Sequence, residues 1–154
     1  MRKGLTFLSA ASLLASPAAA NDAPAVIGDA ADAAATCVFA AGKEGVDKSQ
    51  FEESDKWVPS QSGGFKHPTL PIEISFPQDP DGIARICVVN ATLNSQTNQS
   101  ELLAAFEVLF KREPITQSNS EIWMFGAPPN VRGLQVFPDN ESEKPEIRLI
   151  GAAS

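Results

Sequence analysis

The single histidine, His67, is the residue best suited to acid–base chemistry at neutral pH. A serine–histidine–aspartate hydrolase built on this chain would have to use His67 as its base. A metal site with two or three imidazoles is excluded, because the sequence contains no second histidine. His67 lies in the stretch FKHPT, and no G-x-S-x-G motif marks a nucleophile elsewhere. A solvated loop histidine explains this pattern better, and catalysis by His67 is kept as an alternative.

Two short acidic groups are candidates for binding a cation or a basic partner. The DPDG stretch at Asp79–Gly82 resembles the start of a calcium loop, but the next carboxylate is Glu101, so a turn is the better interpretation. Glu52, Glu53 and Asp55 form the second group, for which a solvated charged surface is the usual explanation. A carboxylate pair for glycoside cleavage stays open, since it depends on distances in space. These patterns predict no metal, no cofactor and no catalytic residue.

The two cysteines, Cys37 and Cys87, lack the Cys-x-x-Cys spacing of redox-active pairs. In an oxidising compartment two such thiols form one disulfide. A bridge that closes a loop of about 50 residues would stabilise the fold by roughly 4 kcal/mol in the chain-entropy account. Two buried free thiols are the alternative. We predict the disulfide, because the N-terminus indicates export.

The N-terminus has the layout of a secretory signal peptide. The start MRK is basic, Leu5–Ala15 is mostly apolar, and the alanines that end at Ala20 are the small residues that a signal peptidase recognises. The apolar stretch is too short for a bilayer, which needs about 20 residues. We therefore predict a signal peptide at 1–20, cleavage near Ala20, and one periplasmic or secreted domain over 21–154. An N-terminal helix of the mature fold is the alternative.

The predicted mature chain is strongly acidic. Removal of Arg2 and Lys3 leaves 10 basic residues against 19 acidic ones, so the net charge falls from −7 to −9. Such a charge disfavours binding to nucleic acid and to anionic membrane surfaces. It favours either a cationic partner or simple solubility.

The stretch from Asp29 to Gly42, DAADAAATCVFAAG, predicts a first helix. Asp29 can act as the N-cap, the alanines favour helix, and Gly42 can end it. One face at helical spacing comprises Ala30, Ala33, Ala34, Cys37, Val38 and Ala41. Because this face is mostly alanine, the helix should lie close to a sheet, near enough for Cys37 to form its bridge.

A second helix is predicted over NQSELLAAFEVLFKREP, from Asn98 to Pro114. Asn98 and Glu101 have capping-box spacing, and Pro114 stops the helix. Its apolar stripe comprises Leu102, Leu103, Phe106, Leu109 and Phe110. We expect this stripe to pack against the same sheet as the first helix.

Alternation and apolar runs predict the strands. LPIEISF alternates as a half-buried strand, and IARICVVN is apolar on both faces, which places Cys87 on an inner strand. EIWMFG, with Trp123 as a core residue, RGLQVF and EIRLIG follow the second helix. The expected fold is α+β: an antiparallel sheet of four to five strands with two helices packed on one face, in the order α-β-β-α-β-β(-β). This order indicates two helix–strand–strand units in tandem.

Residues 43–69 are poor in aliphatic residues and contain SQSGG, which predicts one long polar loop in which Ser49–Asp55 can form a helical turn. Ordered loops of this length are often functional, whereas a solvated loop is the plainer alternative. We predict that a partner contacts Trp57, Glu52, Glu53, Asp55 and His67.

These features indicate a small exported domain but no reaction. The leading hypothesis is a non-catalytic binding or inhibitor-like module that contacts an unknown protein or envelope component, with a cationic partner favoured by the charge. A small hydrolase that uses His67 or a carboxylate pair is the second hypothesis. A structural envelope protein is the third.

Overall fold

A computed structural model describes residues 23–154, so the predicted signal peptide at 1–20 lies outside the described residues. The helices are α1 (Ala23–Ala40), α2 (Ser49–Glu52) and α3 (Gln96–Phe110). The strands are β1 (Val58–Pro59), β2 (Phe65–Lys66), β3 (Ile72–Ser75), β4 (Cys87–Thr92), β5 (Ile115–Gln117), β6 (Ser120–Phe125), β7 (Arg132–Phe137) and β8 (Glu146–Ala153). Within this part of the chain, no helix combines the length and the apolar character needed to cross a membrane.

All of these strands join one antiparallel sheet in the order β1-β2-β3-β4-β8-β7-β6-β5. The α+β class and the antiparallel sheet are confirmed. The sheet has eight strands, so the predicted four to five and the order α-β-β-α-β-β(-β) are wrong; the order is α-α-β-β-β-β-α-β-β-β-β. Strands β1, β2 and β5 were missed because two or three residues are too few to show alternation. Each half is a helical segment followed by a four-stranded meander, and the halves join where β4 pairs with β8.

Helix α1 lies against the centre of the sheet on a face of small residues. The fully or almost fully buried residues of this face are Ala30, Ala33, Ala34, Cys37, Val38 and Ala41, as the sequence predicts. Opposite them, Gly151 of β8 has no side chain, and a Cβ there would lie 2.5 Å from the carbonyl carbon of Cys37. The backbone of the helix therefore touches the backbone of the sheet, and only glycine fits at position 151.

The predicted disulfide between Cys37 and Cys87 is confirmed. Cys87 begins β4, an inner strand flanked by β3 and β8, and the two Cα atoms are 5.2 Å apart. Cys87 is also the cross-strand partner of Gly151. The covalent bond and the closest backbone contact therefore lie side by side, and together they fix the height of α1 above the sheet.

Arg132, at the start of β7, binds the C-terminal end of α1. Its Nη1 donates hydrogen bonds to the backbone oxygens of Val38, Phe39 and Ala41 at 2.8, 2.9 and 2.6 Å. The last carbonyls of a helix lack intrahelical partners, and a cation there also interacts favourably with the helix dipole. The sequence pattern of β7 does not indicate this contact, which joins residues more than 90 positions apart.

Helix α1 begins at Ala23, so the prediction of Asp29 as its N-cap is wrong. Val26 is buried, and extension of the helix toward the N-terminus therefore removes more apolar surface from water. Asp29 lies within the helix, where its carboxylate is 3.3 Å from Lys56 Nζ and 3.8 Å from His67 Nε2.

Helix α3 begins one turn earlier than predicted. Its N-cap is Ser95, whose Oγ accepts a hydrogen bond from the backbone N–H of Asn98 at 3.2 Å. The predicted cap at Asn98 is therefore wrong, because Asn98 lies in the first turn and donates from Nδ2 to Glu101 at 3.2 Å. Phe106 packs against Trp123 with 5.6 Å between ring centroids, and Trp123 is fully buried as predicted.

Polar contacts join the N-terminal end of α3 to the connection between β7 and β8. Gln99 is buried, and its Oε1 accepts a hydrogen bond from Asp139 N at 2.9 Å while its Nε2 donates to Asp139 O at 3.2 Å. Hydrogen bonds from Ser142 and from the backbone amides of Glu141 and Glu146 lower the pKa of Asp139 to about 2. This connection is therefore ordered mainly by hydrogen bonds.

Residues 43–69 contain α2, β1 and β2. Helix α2 falls where the sequence predicts a helical turn, whereas a single polar loop does not include the two short strands. Phe51, Trp57 and Phe65 are buried in an aromatic cluster, in which the ring centroids of Phe51 lie 5.7 Å from Phe65 and 6.3 Å from Trp57. Isolated aromatic residues in a polar stretch show no periodicity, and the sequence pattern therefore hides this extension of the core.

Replacement of Gly151 with alanine should lower the free energy of unfolding by about 1–3 kcal/mol, because the new Cβ would overlap the backbone of α1. Gly28 in α1 is the matched control, since an added Cβ there meets nothing within 4 Å. Gly28→Ala should raise the free energy of unfolding by about 0.5–1 kcal/mol through helix propensity. Urea unfolding measures both variants, and equal effects would contradict the close contact at Gly151.

The double variant Cys37→Ala/Cys87→Ala should lose about 4 kcal/mol of unfolding free energy, because the denatured chain is no longer closed into a loop of about 50 residues. Urea unfolding measures this loss. Mass spectrometry after iodoacetamide treatment provides the control: the unfolded wild-type chain should gain no label without reductant and two labels after reduction. Labelling of both cysteines without reductant would show that the bridge is absent.

Candidate functional site

A cleft of about 460 Å³ opens beside His67, where the connection between β2 and β3 meets β4 and β8. Its polar lining residues are Lys66, His67, Glu73, Asn90, Thr92 and Glu146. Leu70 and Pro71 form an apolar wall at the β2–β3 connection. Strand alternation directs the side chains of Glu73 and Asn90 away from α1, since their neighbours Ile72, Ile74 and Val89 are buried in the core. The cleft therefore belongs to the face of the sheet opposite α1.

The strand register places a row of exposed polar residues across this face. Lys66 pairs with Glu73, Glu73 with Asn90, and Asn90 with Arg148. Directly opposed residues have Cβ atoms about 4.5–5.5 Å apart, so neighbours in the row can contact one ligand together. Glu73 also accepts hydrogen bonds from the hydroxyls of Ser60 and Ser62, at 3.3 and 3.0 Å.

His67 shapes the wall of the cleft through its ring nitrogens. Nδ1 accepts hydrogen bonds from the backbone N–H groups of Thr69 and Leu70, at 3.2 and 3.0 Å. Because Nδ1 is an acceptor, the neutral ring carries its proton on Nε2, which faces the Asp29 carboxylate at 3.8 Å. The ring also meets Trp57 edge-on, with 5.7 Å between centroids. His67 therefore joins the β2–β3 connection to α1 and to the aromatic cluster.

This arrangement is poorly suited to general-base catalysis. The hydroxyl of Thr69 lies 3.4 Å from Nδ1, which places it where a nucleophile would stand beside a histidine base. However, two backbone N–H groups already donate to the same nitrogen at shorter distances. A base must have a free lone pair to take the proton, and the turn occupies the lone pair of His67.

The structure separates the five residues predicted to contact a partner. Trp57 is 7% exposed and belongs to the aromatic cluster, so it offers a partner little surface. Glu52, Glu53 and Asp55 are exposed around the end of α2, and none of them lines the cleft. His67 alone of the five borders it. Contact with a partner stays a prediction for these residues.

The DPDG stretch forms a turn in which Gly82 N donates to Asp79 O at 2.8 Å. Arg85 binds the Asp79 carboxylate at 2.8 Å and the Asp81 carboxylate at 2.6 Å. Hydrogen bonds from the Arg85 side chain and, to a smaller extent, from the backbone N–H of Ile83 lower the pKa of Asp81. Both carboxylates therefore stabilise the turn through Arg85. Within residues 23–154, no group of three or more metal-ligating side chains occurs.

Sequence reasoning did not identify Lys66, Glu73, Asn90 and Glu146 as site residues. The alternation of LPIEISF places Glu73 on the outward face, which is correct. Only the register shows that it stands between Lys66 and Asn90, and register depends on contacts between distant segments.

Comparison of the chain with protein families, curated protein sequences and solved structures gave no match. The geometry of the described residues is therefore the basis for a functional interpretation.

His67→Ala should lower the free energy of unfolding by about 1–2 kcal/mol, because two N–H donors lose their acceptor. His67→Asn should recover most of this loss, since a side-chain oxygen can take the place of Nδ1 in a local turn. Chemical unfolding of the three proteins measures the effect. An Asn variant as unstable as the Ala variant would contradict the role of Nδ1 in the turn.

Proposed function

We propose that this protein is an exported, non-catalytic binding module whose partner is a cationic protein or envelope component. The arrangement of His67 carries the proposal: its acceptor nitrogen stabilises the turn that borders an open, polar cleft. The cleft therefore has a fixed wall and several hydrogen-bonding groups, and the turn occupies the acceptor nitrogen of its histidine. A concave surface with several convergent polar groups supports a binding role.

Export is supported by the signal-peptide pattern together with the disulfide. The bridge between Cys37 and Cys87 is fully buried, and disulfides persist mainly in oxidising compartments.

A cationic partner is supported by the charge of the chain and by the exposed acids. Glu52, Glu53 and Asp55 lie together on the surface near α2. Long-range attraction from an acidic surface accelerates association with a basic partner and weakens as salt increases. We assign the contact surface to these acids and to the cleft beside His67.

The test is quantitative capture of partners from an exported fraction by the chain 21–154. The variant Glu52→Gln/Glu53→Gln/Asp55→Asn removes three charges without touching the aromatic cluster. Its matched control, Glu113→Gln/Glu141→Gln/Glu143→Gln, removes three exposed charges elsewhere. The first variant should reduce capture about ten-fold, which corresponds to about 1.4 kcal/mol, and the control should retain it. Equal capture by both variants would contradict the assigned surface.

A small hydrolase is the alternative that one observation favours, namely the Thr69 hydroxyl beside a histidine that faces Asp29. Assays with ester, amide and glycoside substrates test it. Turnover that disappears in both His67→Asn and Thr69→Ala would replace the binding proposal.

The third hypothesis is a structural envelope protein. Such a protein would show neither turnover nor a soluble partner and would fractionate with envelope material.

A further inference from the structure

Large apolar side chains are exposed on the outer surface of the helix layer. Val108 and Leu109 in the last turns of α3 are 78% and 55% exposed, and Phe39 in the last turn of α1 is 64% exposed. Single exposed apolar residues are common, but a contiguous group indicates a binding surface.

Val108 and Leu109 border a groove of about 520 Å³ between α1 and α3. The remaining lining residues are Ala31, Ala104, Ala105 and Glu101. Alanines at the bottom of the groove allow another helix to approach closely, while Val108 and Leu109 offer larger side chains to its apolar face. The small side chains along the groove and the larger ones at its border therefore suit the apolar face of a helix.

Phe39 lies at the same end of the layer as Val108 and Leu109. The backbone oxygen of Phe39 binds Arg132, Arg132 pairs with Phe125, and Phe125 packs on Phe110 at 4.4 Å. This chain of contacts places the C-terminal ends of α1 and α3 near the paired ends of β6 and β7. The three exposed apolar residues therefore lie at the C-terminal ends of the two helices, and Val108 and Leu109 also border the groove.

The charges of the two helices are all negative. The acidic residues within α1 and α3 are Asp29, Asp32, Glu101 and Glu107, and neither helix contains a lysine, arginine or histidine. Lys56 neutralises Asp29 and Asp32, whereas Glu101 lines the groove. A ligand that lies in this groove meets mainly apolar groups and the carboxylate of Glu101.

We propose that this groove binds an amphipathic helix of a partner protein, with its apolar face on Val108 and Leu109 and with lysines or arginines toward Glu101. A second copy of this chain fits less well, because its helices would bring further carboxylates to an acidic rim. An anionic membrane is disfavoured by the same repulsion. The proposal concerns a surface separate from the cleft beside His67 and stands independently of it.

The test uses a fluorescent 18-residue peptide of leucine and lysine with leucines at i, i+3, i+4 and i+7. A scrambled peptide of the same composition, without an apolar face, is the reference, and fluorescence anisotropy measures binding to the chain 21–154. The amphipathic peptide should bind at least about ten-fold more tightly than the scrambled one. Val108→Ser/Leu109→Ser should remove this difference, and Glu101→Gln should weaken binding and its dependence on salt.

Met124→Gln is the matched control, because Met124 is 41% exposed and alternates with the buried Trp123 on the opposite face of the sheet. It should leave peptide binding unchanged. Equal binding of both peptides would show attraction by charge alone and overturn the proposal. Loss of peptide binding in Met124→Gln would place the binding site on the opposite face of the sheet and would overturn the proposal. A dimer in sedimentation that Val108→Ser/Leu109→Ser dissociates would assign the groove to a second copy and would also overturn it.

Discussion

The contact between α1 and β8 at Gly151 is the constraint on which the rest of the structure depends. A helix normally rests on a sheet through side chains, but here the backbone of Cys37 lies where a Cβ of residue 151 would be. Alanines along α1 make this approach possible, and the Cys37–Cys87 bridge makes it permanent. Arg132 then binds the exposed carbonyls at the end of the helix. Apolar packing, a covalent bond and a charged cap therefore act on one turn of α1.

This constraint also arranges the two candidate binding surfaces. Since α1 covers the centre of one sheet face, α3 packs beside it and leaves a groove on the outer side of the helix layer. The opposite face keeps its outward-pointing polar row, and most of that row lines the cleft. Asp29 connects α1 to the cleft wall, because its carboxylate lies 3.8 Å from His67 Nε2. Both surfaces are thus positioned by the same helix, although they face different directions.

The elements with strong local signals were predictable, and the contacts between distant segments were not. The alanine face, the inner strand with Cys87 and the core position of Trp123 follow from periodicity, and the structure confirms them. The prediction for the first half of the sheet is incomplete, because the short strands β1 and β2 depend on the aromatic cluster around Phe51. The cleft depends on strand register and on the hydrogen bonds that His67 Nδ1 accepts from the following turn. Residue type alone reveals neither of them.

Amide hydrogen exchange under native conditions tests the central position of α1 most directly. If the helix and the inner strands form one unit, the amides of 33–40 in α1 and of 147–151 in β8 should exchange with the same opening free energy, equal to that of global unfolding. The amides of the short strands β1 and β5 should exchange with lower opening free energies. Exchange of the α1 amides at a clearly lower opening free energy, while β4 and β8 stay protected, would show that α1 is a peripheral element and would contradict this account.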